Sequence, residues 1–422
     1  MPIKIDKEVI TVFLQRGWSS LSGIITIYFI AKYLTENQQG VYYLISALLV
    51  IISFFDFGLN TATVQTAAQI NASKYNEKEI LERCKVVLYL SRKKANYYAV
   101  VYCCITLGFL YLNVEKLYLT TSESIAIFLT LSSISILTLQ TNLYIAFMEG
   151  KGDIKESSKL KLISMITGSI VLWAGIFLGY SIPSLLTSQA LTAGILYALT
   201  KTHERNTLSG IKLNRKTDIK LSTSNQIKIA LSGFSAYFVL NLPTYYLGTS
   251  GDLDSAGKFG MTFQLLGAIT GFSIVFLNSK LYLYCGLHQK NEIAKLKSFH
   301  KKRTALSWAF LTLSISGIAL AFLMLPEITM PIKNKIIDNE YYILTLVTMA
   351  GINYYNGQSI LFQSKGGDPL FSIGILRIII LVSTITFTSV NENQLYSLEL
   401  AYATMSLTTI AITFFISRRF YK

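Results

Sequence analysis

Two arginines and one aspartate stand where an apolar chain has little use for charge. Arg16 falls inside the apolar stretch from Val9 to Tyr33, Asp56 inside Val41 to Thr63, and Arg377 near the middle of Leu370 to Thr388. Stretches of about 20 mostly apolar residues are long enough to cross a bilayer as helices. An ionisable side chain at that depth costs on the order of several kcal/mol unless it is paired or faces water. The chemistry such groups offer is binding rather than bond making. A guanidinium is a planar fork of N–H donors that fits phosphate oxygens, and a buried carboxylate takes a cation or a neighbouring arginine. Arg16 and Asp56 each lie roughly 10 to 15 Å deep at about 1.5 Å per residue, so they can face each other as a structural ion pair or line a polar cavity. Arg377 has no carboxylate at matching depth in its own half of the chain. A bound anion, backbone carbonyls or a carboxylate of the other half are the partners open to it.

Other polar residues decorate the same stretches. Asp56, Asn60 and Thr63 recur at i, i+4 and i+7, one face of a continuous helix, and Arg16, Ser19, Ser20 and Gly23 form a similar stripe. Tyr237, Asn241, Pro243, Tyr245 and Tyr246 interrupt a later stretch, and Asn353, Tyr354, Tyr355, Asn356 and Gln358 crowd another. Amides and phenols of this kind offer donors and ring faces to sugar hydroxyls, or simply line a watery cleft. Stripes of small residues also serve close helix packing. The candidate cavity residues are therefore Arg16, Asp56, Asn60, Tyr237, Asn241, Asn353, Asn356 and Arg377.

What must position them is a membrane bundle. The 422 residues are 52% hydrophobic and only 14% charged, far too apolar for a soluble domain of that size. The apolar windows run Val9–Tyr33, Val41–Thr63, Asn96–Val114, Ser124–Met148, Leu162–Tyr180 and Ser184–Thr200; then, after a basic connection, Ile227–Leu247, Phe259–Tyr284, Ala305–Leu325, Tyr341–Gln363, Leu370–Thr388 and Leu395–Ile416. The pattern predicts an all-α polytopic protein of about twelve transmembrane helices, divided into lobes of six at 1–210 and 211–422. With the N-terminus cytoplasmic, 31 of the 38 Lys and Arg fall in cytoplasmic segments, five in outer loops, and Arg16 and Arg377 inside helices. That is the positive-inside asymmetry at every loop pair. It accounts for most of the +15 net charge, so the basic balance is topological and no nucleic-acid partner is expected. Both termini are expected in the cytoplasm, with the first helix retained as an uncleaved anchor.

Several function classes drop out. No outer loop exceeds about 15 residues on this reading, so no soluble catalytic domain is attached. GxxxxGK[ST], HExxH, GxSxG and CxxC are all missing, which speaks against ATP hydrolysis, metalloprotease chemistry and an enzyme in general. Cys84 is expected in a loop, Cys103 and Cys104 in a helix and Cys285 at a helix end, without metal or disulfide spacing. The basic segment 64–95 reads as a surface helix against headgroups, or as an extension of the second helix.

The run Ala31-Lys32-Tyr33-Leu34-Thr35-Glu36-Asn37-Gln38-Gln39-Gly40-Val41-Tyr42, then Asp56-Phe57-Gly58-Leu59 and Ala62 to Ala67, resembles the opening hairpin of Wzx-type O-antigen flippases of the multidrug/oligosaccharidyl-lipid/polysaccharide (MOP) exporter superfamily. Ala256-Gly257-Lys258-Phe259-Gly260 and Gln363-Ser364-Lys365-Gly366-Gly367-Asp368 resemble the family's approaches to its eighth and eleventh helices. The resemblance implies two lobes around a central cationic cavity (a MATE/MOP-like fold) and alternating access. It implies as cargo an undecaprenyl-pyrophosphate-linked oligosaccharide, moved from the cytoplasmic to the periplasmic leaflet of a bacterial inner membrane. Membrane lipids surround the protein, the polysaccharide polymerase machinery is a candidate partner, and no cofactor is expected beyond candidate coupling to a proton or sodium gradient. The departure is in the eighth helix, where Gln264 stands at a place that peptidoglycan-precursor carriers often fill with a positive charge. A MATE-like drug or cation antiporter is the near alternative. An O-antigen polymerase or ligase is the distant one, disfavoured because His203, His288 and His300 all fall in cytoplasmic segments.

Overall fold

The computed structural model describes residues 7–52, 56–71, 75–113, 120–211, 241–242, 244–249, 252–278, 284, 287, 292–336, 342–363, 371–388 and 394–420. Among these residues there is no strand. The helices are α1 (Lys7–Tyr33), α2 (Glu36–Ile51), α3 (Leu59–Asn71), α4 (Glu77–Asn113), α5 (Thr121–Lys151), α6 (Ile154–Phe177) and α7 (Ile182–Leu208), then α8 (Leu253–Asn278), α9 (Ile293–Met324), α10 (Pro326–Lys333), α11 (Tyr342–Gln363), α12 (Phe371–Thr388) and α13 (Gln394–Phe420). Residues 241–242 and 244–249 are helical as well. Seven described helices, α4 to α9 and the Leu400–Ser417 part of α13, are long and apolar enough to cross a membrane. The chain is a multi-pass, all-α membrane protein.

Two compact units divide it, one made of Met1–Ser22 with Leu44–Ala230 and the other of Gly23–Tyr43 with Leu231–Lys422. The division falls within α1 and again within α2.

The first unit is built on close approaches between small residues. A Cβ at Gly168 would meet Thr192 Oγ1 at 1.9 Å, and one at Gly175 would meet Ser184 Cβ at 2.5 Å. Only glycine lets α6 and α7 lie so near each other, the way helices associate where hydrocarbon gives them no hydrophobic drive. Ser188 Oγ donates to Gly168 O at 2.9 Å across the same seam. Behind it Tyr102, Tyr144, Phe147 and Leu143 form a core with Leu88 and Ala95.

Two expectations change here. The second apolar window is not one helix: α2 ends at Ile51, and Phe57 (φ 47°) and Gly58 (φ 71°) take the left-handed conformation before α3 begins. Asp-Phe-Gly is turn chemistry that outweighs the apolar run around it. Within the 64–95 segment, residues 64–71 belong to α3, and Tyr75 to Glu79 are exposed. Its second part is the start of α4, continuous to Asn113, and Cys84, Val86, Val87, Leu88 and Ser91 are buried. Lys85 Nζ donates to Ile211 O at 2.7 Å, and Arg92 forms a two-pronged bridge to Glu204 of α7 at 2.6 and 2.9 Å. Cys84 accordingly sits in a helix, not a loop.

In the second unit, Phe259 and Phe263 stack with centroids 4.4 Å apart, and Tyr402 of α13 closes on both at 5.6 and 4.9 Å. Leu381 and Met405 complete that core.

Candidate functional site

Asp56 sits in the break between α2 and α3 and acts as the cap of α3. Its carboxylate accepts the backbone N–H of Gly58 at 2.8 Å and of Asn60 at 3.4 Å. Free N–H groups at a helix start attract a carboxylate, and here they take up the charge that pairing with Arg16 would otherwise have satisfied. No ion pair joins the two residues, both of which are described. Arg16 is exposed on α1 and forms no ion pair among the described residues. Its neighbours anchor the helix: Trp18 meets Trp173 of α6 at 6.1 Å, and Gln15 Nε2 donates to Met165 Sδ at 3.6 Å. Asn60 is half-buried, and its Oδ1 accepts no hydrogen bond. Thr63 turns into the unit, donating to Leu59 O at 2.7 Å and meeting Ser91 Oγ at 3.0 Å. The Asp56, Asn60 and Thr63 stripe is thus split between a cap, a half-buried amide and a packing contact.

In the second unit Asn353 is 2% exposed. Its Oδ1 receives Ser273 Oγ of α8 at 2.7 Å and Ser307 Oγ of α9 at 3.4 Å, tying three helices at one polar node. Two residues further on, about 200° around the helix, Tyr355 faces the other way. The Arg377 guanidinium of α12 lies 4.5 Å from the Tyr355 ring. Arg377 is 4% exposed, and its Nε donates to no acceptor. Among the described residues it has no carboxylate. A desolvated cation over a ring face gains about 2 kcal/mol or more, which is how this charge is tolerated. The polar cluster of the tenth window is therefore not one sugar-facing surface, since Asn353 and Tyr355 serve opposite faces. Asn356 and Asn241 are half-buried, and Tyr237 lies outside the described residues.

Sequence reasoning missed a clasp at the α1–α2 corner. Thr35 and Gln38 cap α2 reciprocally: Thr35 N–H donates to Gln38 Oε1 at 3.1 Å, and Gln38 N–H to Thr35 Oγ1 at 3.4 Å. The next residue, Gln39, is 2% exposed and donates to Lys335 O at 3.2 Å, while Lys335 Nζ donates back to Leu34 O. Burial draws the Lys335 pKa below its ordinary value, against the pull of Glu36 and Asp254. Gly40 lets the corner sit directly on the start of α8, since a Cβ there would lie 2.2 Å from Leu253 O. Gly257 and Gly260 continue the seam against Gln39 and Tyr43. The signal was in the sequence as the Gly257-x-x-Gly260 spacing opposite Gln39-Gly40, residues that carried the resemblance without a stated physical reason.

No protein-family model and no curated protein matches the chain by sequence. Solved structures do match. A MATE transporter in its straight conformation superposes with a TM-score of 0.64 at 14% identity, over 98% of this chain and 94% of that one. A multidrug resistance MATE family transporter of the MOP superfamily, outward-facing, gives 0.63 at 13% over 98% and 94%. A MOP superfamily transporter from Pyrococcus furiosus, described as having a binding pocket of reversed polarity that suggests a different function, gives 0.60 at 11% over 98% and 95%. The chain has the fold of MATE transporters.

Proposed function

We propose that this protein is a flippase of the bacterial inner membrane. It moves undecaprenyl-pyrophosphate-linked oligosaccharide repeat units, destined for O-antigen or a similar surface polysaccharide, from the cytoplasmic to the periplasmic leaflet by alternating access. The observation that carries the reading is Arg16, an exposed guanidinium about 13 Å along α1 from Lys7 with no ion pair among the described residues. With α1 crossing the membrane as the apolar run Val9–Tyr33 predicts, a cation at this depth supports an anionic cargo, because pyrophosphate crossing a low-dielectric region needs positive charge beside it. Arg377 adds a second deep cation and acts through its field, since it is buried against Tyr355. The reversed pocket polarity described for the Pyrococcus furiosus transporter supports the idea that pocket charge separates functions on this fold.

Translocation makes and breaks no covalent bond. The half-buried Asn60, whose Oδ1 accepts no hydrogen bond, offers an amide to the glycan, while the polyprenyl tail stays in hydrocarbon. A proton or sodium gradient would drive the cycle, the polysaccharide polymerase machinery would take the product, and both termini would face the cytoplasm. The test is complementation of a bacterium lacking its own flippase. Wild type restores surface polysaccharide, Arg16→Gln does not, and Arg16→Lys restores it in part because the fork is lost. Normal polymer from Arg16→Gln at normal membrane abundance overturns the reading.

A MATE-like cation antiporter is the second reading, and Asp56 favours it. Its carboxylate is held by backbone N–H groups and meets no cation among the described residues. Drug efflux abolished by Asp56→Asn, with no polysaccharide complementation, would select that reading.

A further inference from the structure

Of the described membrane-spanning helices, α9 is the least covered by its own protein, with 11% of its apolar window buried. Trp308, Leu311, Thr312 and Ile315 recur along it at i, i+3, i+4 and i+7, one face of the helix. With Leu346 and Ala350 of α11 they line an open groove of about 300 Å³. The Thr312 hydroxyl donates to Trp308 O and Ala309 O of its own helix, so the groove wall presents an apolar surface. The groove runs about 10 Å along the helix, within one leaflet's share of a hydrocarbon core about 30 Å thick.

The same stripe, followed toward the start of α9, meets Lys301 seven residues before Trp308 and Lys297 four residues earlier. Both lysines are exposed, and Lys301 joins no ion pair among the described residues. Helical side chains lean toward the helix N-terminus, which carries the ammonium groups away from the groove and toward the headgroup level. Of the neighbouring basic residues, Lys295 pairs with Glu292 at 3.0 Å, Arg303 lies over Phe299 at 5.2 Å, and Lys302 stands about 100° round the helix from Lys301, off the stripe. An apolar groove alone would hold any lipid tail weakly and without preference, because hydrocarbon surrounds it on every side. Cations at its headgroup end supply the preference.

We propose that this groove binds an anionic phospholipid of the surrounding bilayer, one acyl chain lying between α9 and α11 and the headgroup phosphate meeting Lys301 and Lys297. The site does not depend on the cargo and holds equally for a flippase or an antiporter.

Native mass spectrometry tests it on full-length protein in mild detergent supplied with equal phosphatidylglycerol and phosphatidylcholine. Wild type retains phosphatidylglycerol severalfold over phosphatidylcholine. Lys297→Gln with Lys301→Gln brings that ratio to about one, by loss of the headgroup attraction. Thr312→Trp, at an exposed position where folding is not at stake, lowers retention of both lipids, and Ala350→Phe does the same from the other wall. An unchanged phosphatidylglycerol preference in the double variant, or unchanged retention in both groove variants, overturns the proposal. Undecaprenyl phosphate at equal concentration leaves bound phosphatidylglycerol in place. If it displaces that lipid from wild type, the groove serves the cargo's tail and the proposal fails.

Discussion

Gly40→Ala is the substitution whose consequence follows most directly from the geometry. The new methyl would lie 2.2 Å from Leu253 O and 2.9 Å from both the carbonyl carbon and the Cβ of Leu253. Ordinary separations between non-bonded carbons are about 3.5–4.0 Å, so α2 and the start of α8 must part by about 1 Å. Two of the three atoms in the way are backbone, and no rotamer change relieves them. Overpacking of this kind costs about 1–3 kcal/mol. The parting also stretches the Gln39 to Lys335 bond beside it. Gly257→Ala meets Gln39 Cγ and the Gly40 backbone N, each at 3.1 Å rather than 2.2 Å, and should cost less. Gly267→Ala meets nothing within 4 Å and should be neutral, or stabilising by up to about 1 kcal/mol through reduced chain entropy. Thermal unfolding in detergent, followed by tryptophan fluorescence, should rank the variants Gly267→Ala, wild type, Gly257→Ala, Gly40→Ala from most to least stable. A Gly40→Ala melting temperature at or above that of Gly267→Ala would refute the close approach.

Other outcomes follow from named contacts. Asn353→Leu removes the acceptor of Ser273 and Ser307 and should destabilise by about 1–3 kcal/mol, lowering the melting temperature, whereas Asn353→Asp keeps an acceptor and should lose less stability near pH 5 than near pH 8. Asp56→Ala should cost about 1 kcal/mol as a lost helix cap, and Asp56→Asn a fraction of that, in the same melting assay. Exchanging Arg16 and Asp56 should not restore transport that either single change removes, because no ion pair joins them and the arginine would land on a helix cap; full rescue in the polysaccharide assay would contradict this. Arg377→Met should keep membrane abundance but lose transport, while Arg377→Lys retains part of both; transport by Arg377→Met at normal abundance would reduce Arg377 to a packing role.

Much of the fold was legible because apolar windows of membrane length are hard to mistake. The windows Asn96–Val114 through Ser184–Thr200 fall on α4 to α7, and Ala305–Leu325 falls on α9. What periodicity hid was local turn chemistry inside an apolar run: Asp56-Phe57-Gly58 breaks the second window although hydropathy does not dip enough to show it. The same oversight produced the Arg16 and Asp56 pair, since equal depth suggested a bond that helix capping had already replaced. Asn353 and Tyr355 were read as one cluster, although residues two apart on a helix face opposite ways. The clasp depends on a backbone oxygen, Leu253 O, meeting Gly40 across more than 200 residues, and the Gly257-x-x-Gly260 spacing marks a close approach without naming its partner. Arg377 was legible as an anomaly but not in its environment, because an aromatic partner leaves no charge pattern to find.

The most direct measurement of the central claim is transfer in proteoliposomes containing only this protein. Undecaprenyl-pyrophosphate-linked oligosaccharide is placed in one leaflet, and its arrival in the other is read by a membrane-impermeant glycosidase. The account predicts protein-dependent transfer that Arg16→Gln abolishes without loss of folded protein. Transfer no faster than in empty liposomes, from protein that still melts cooperatively, would contradict it.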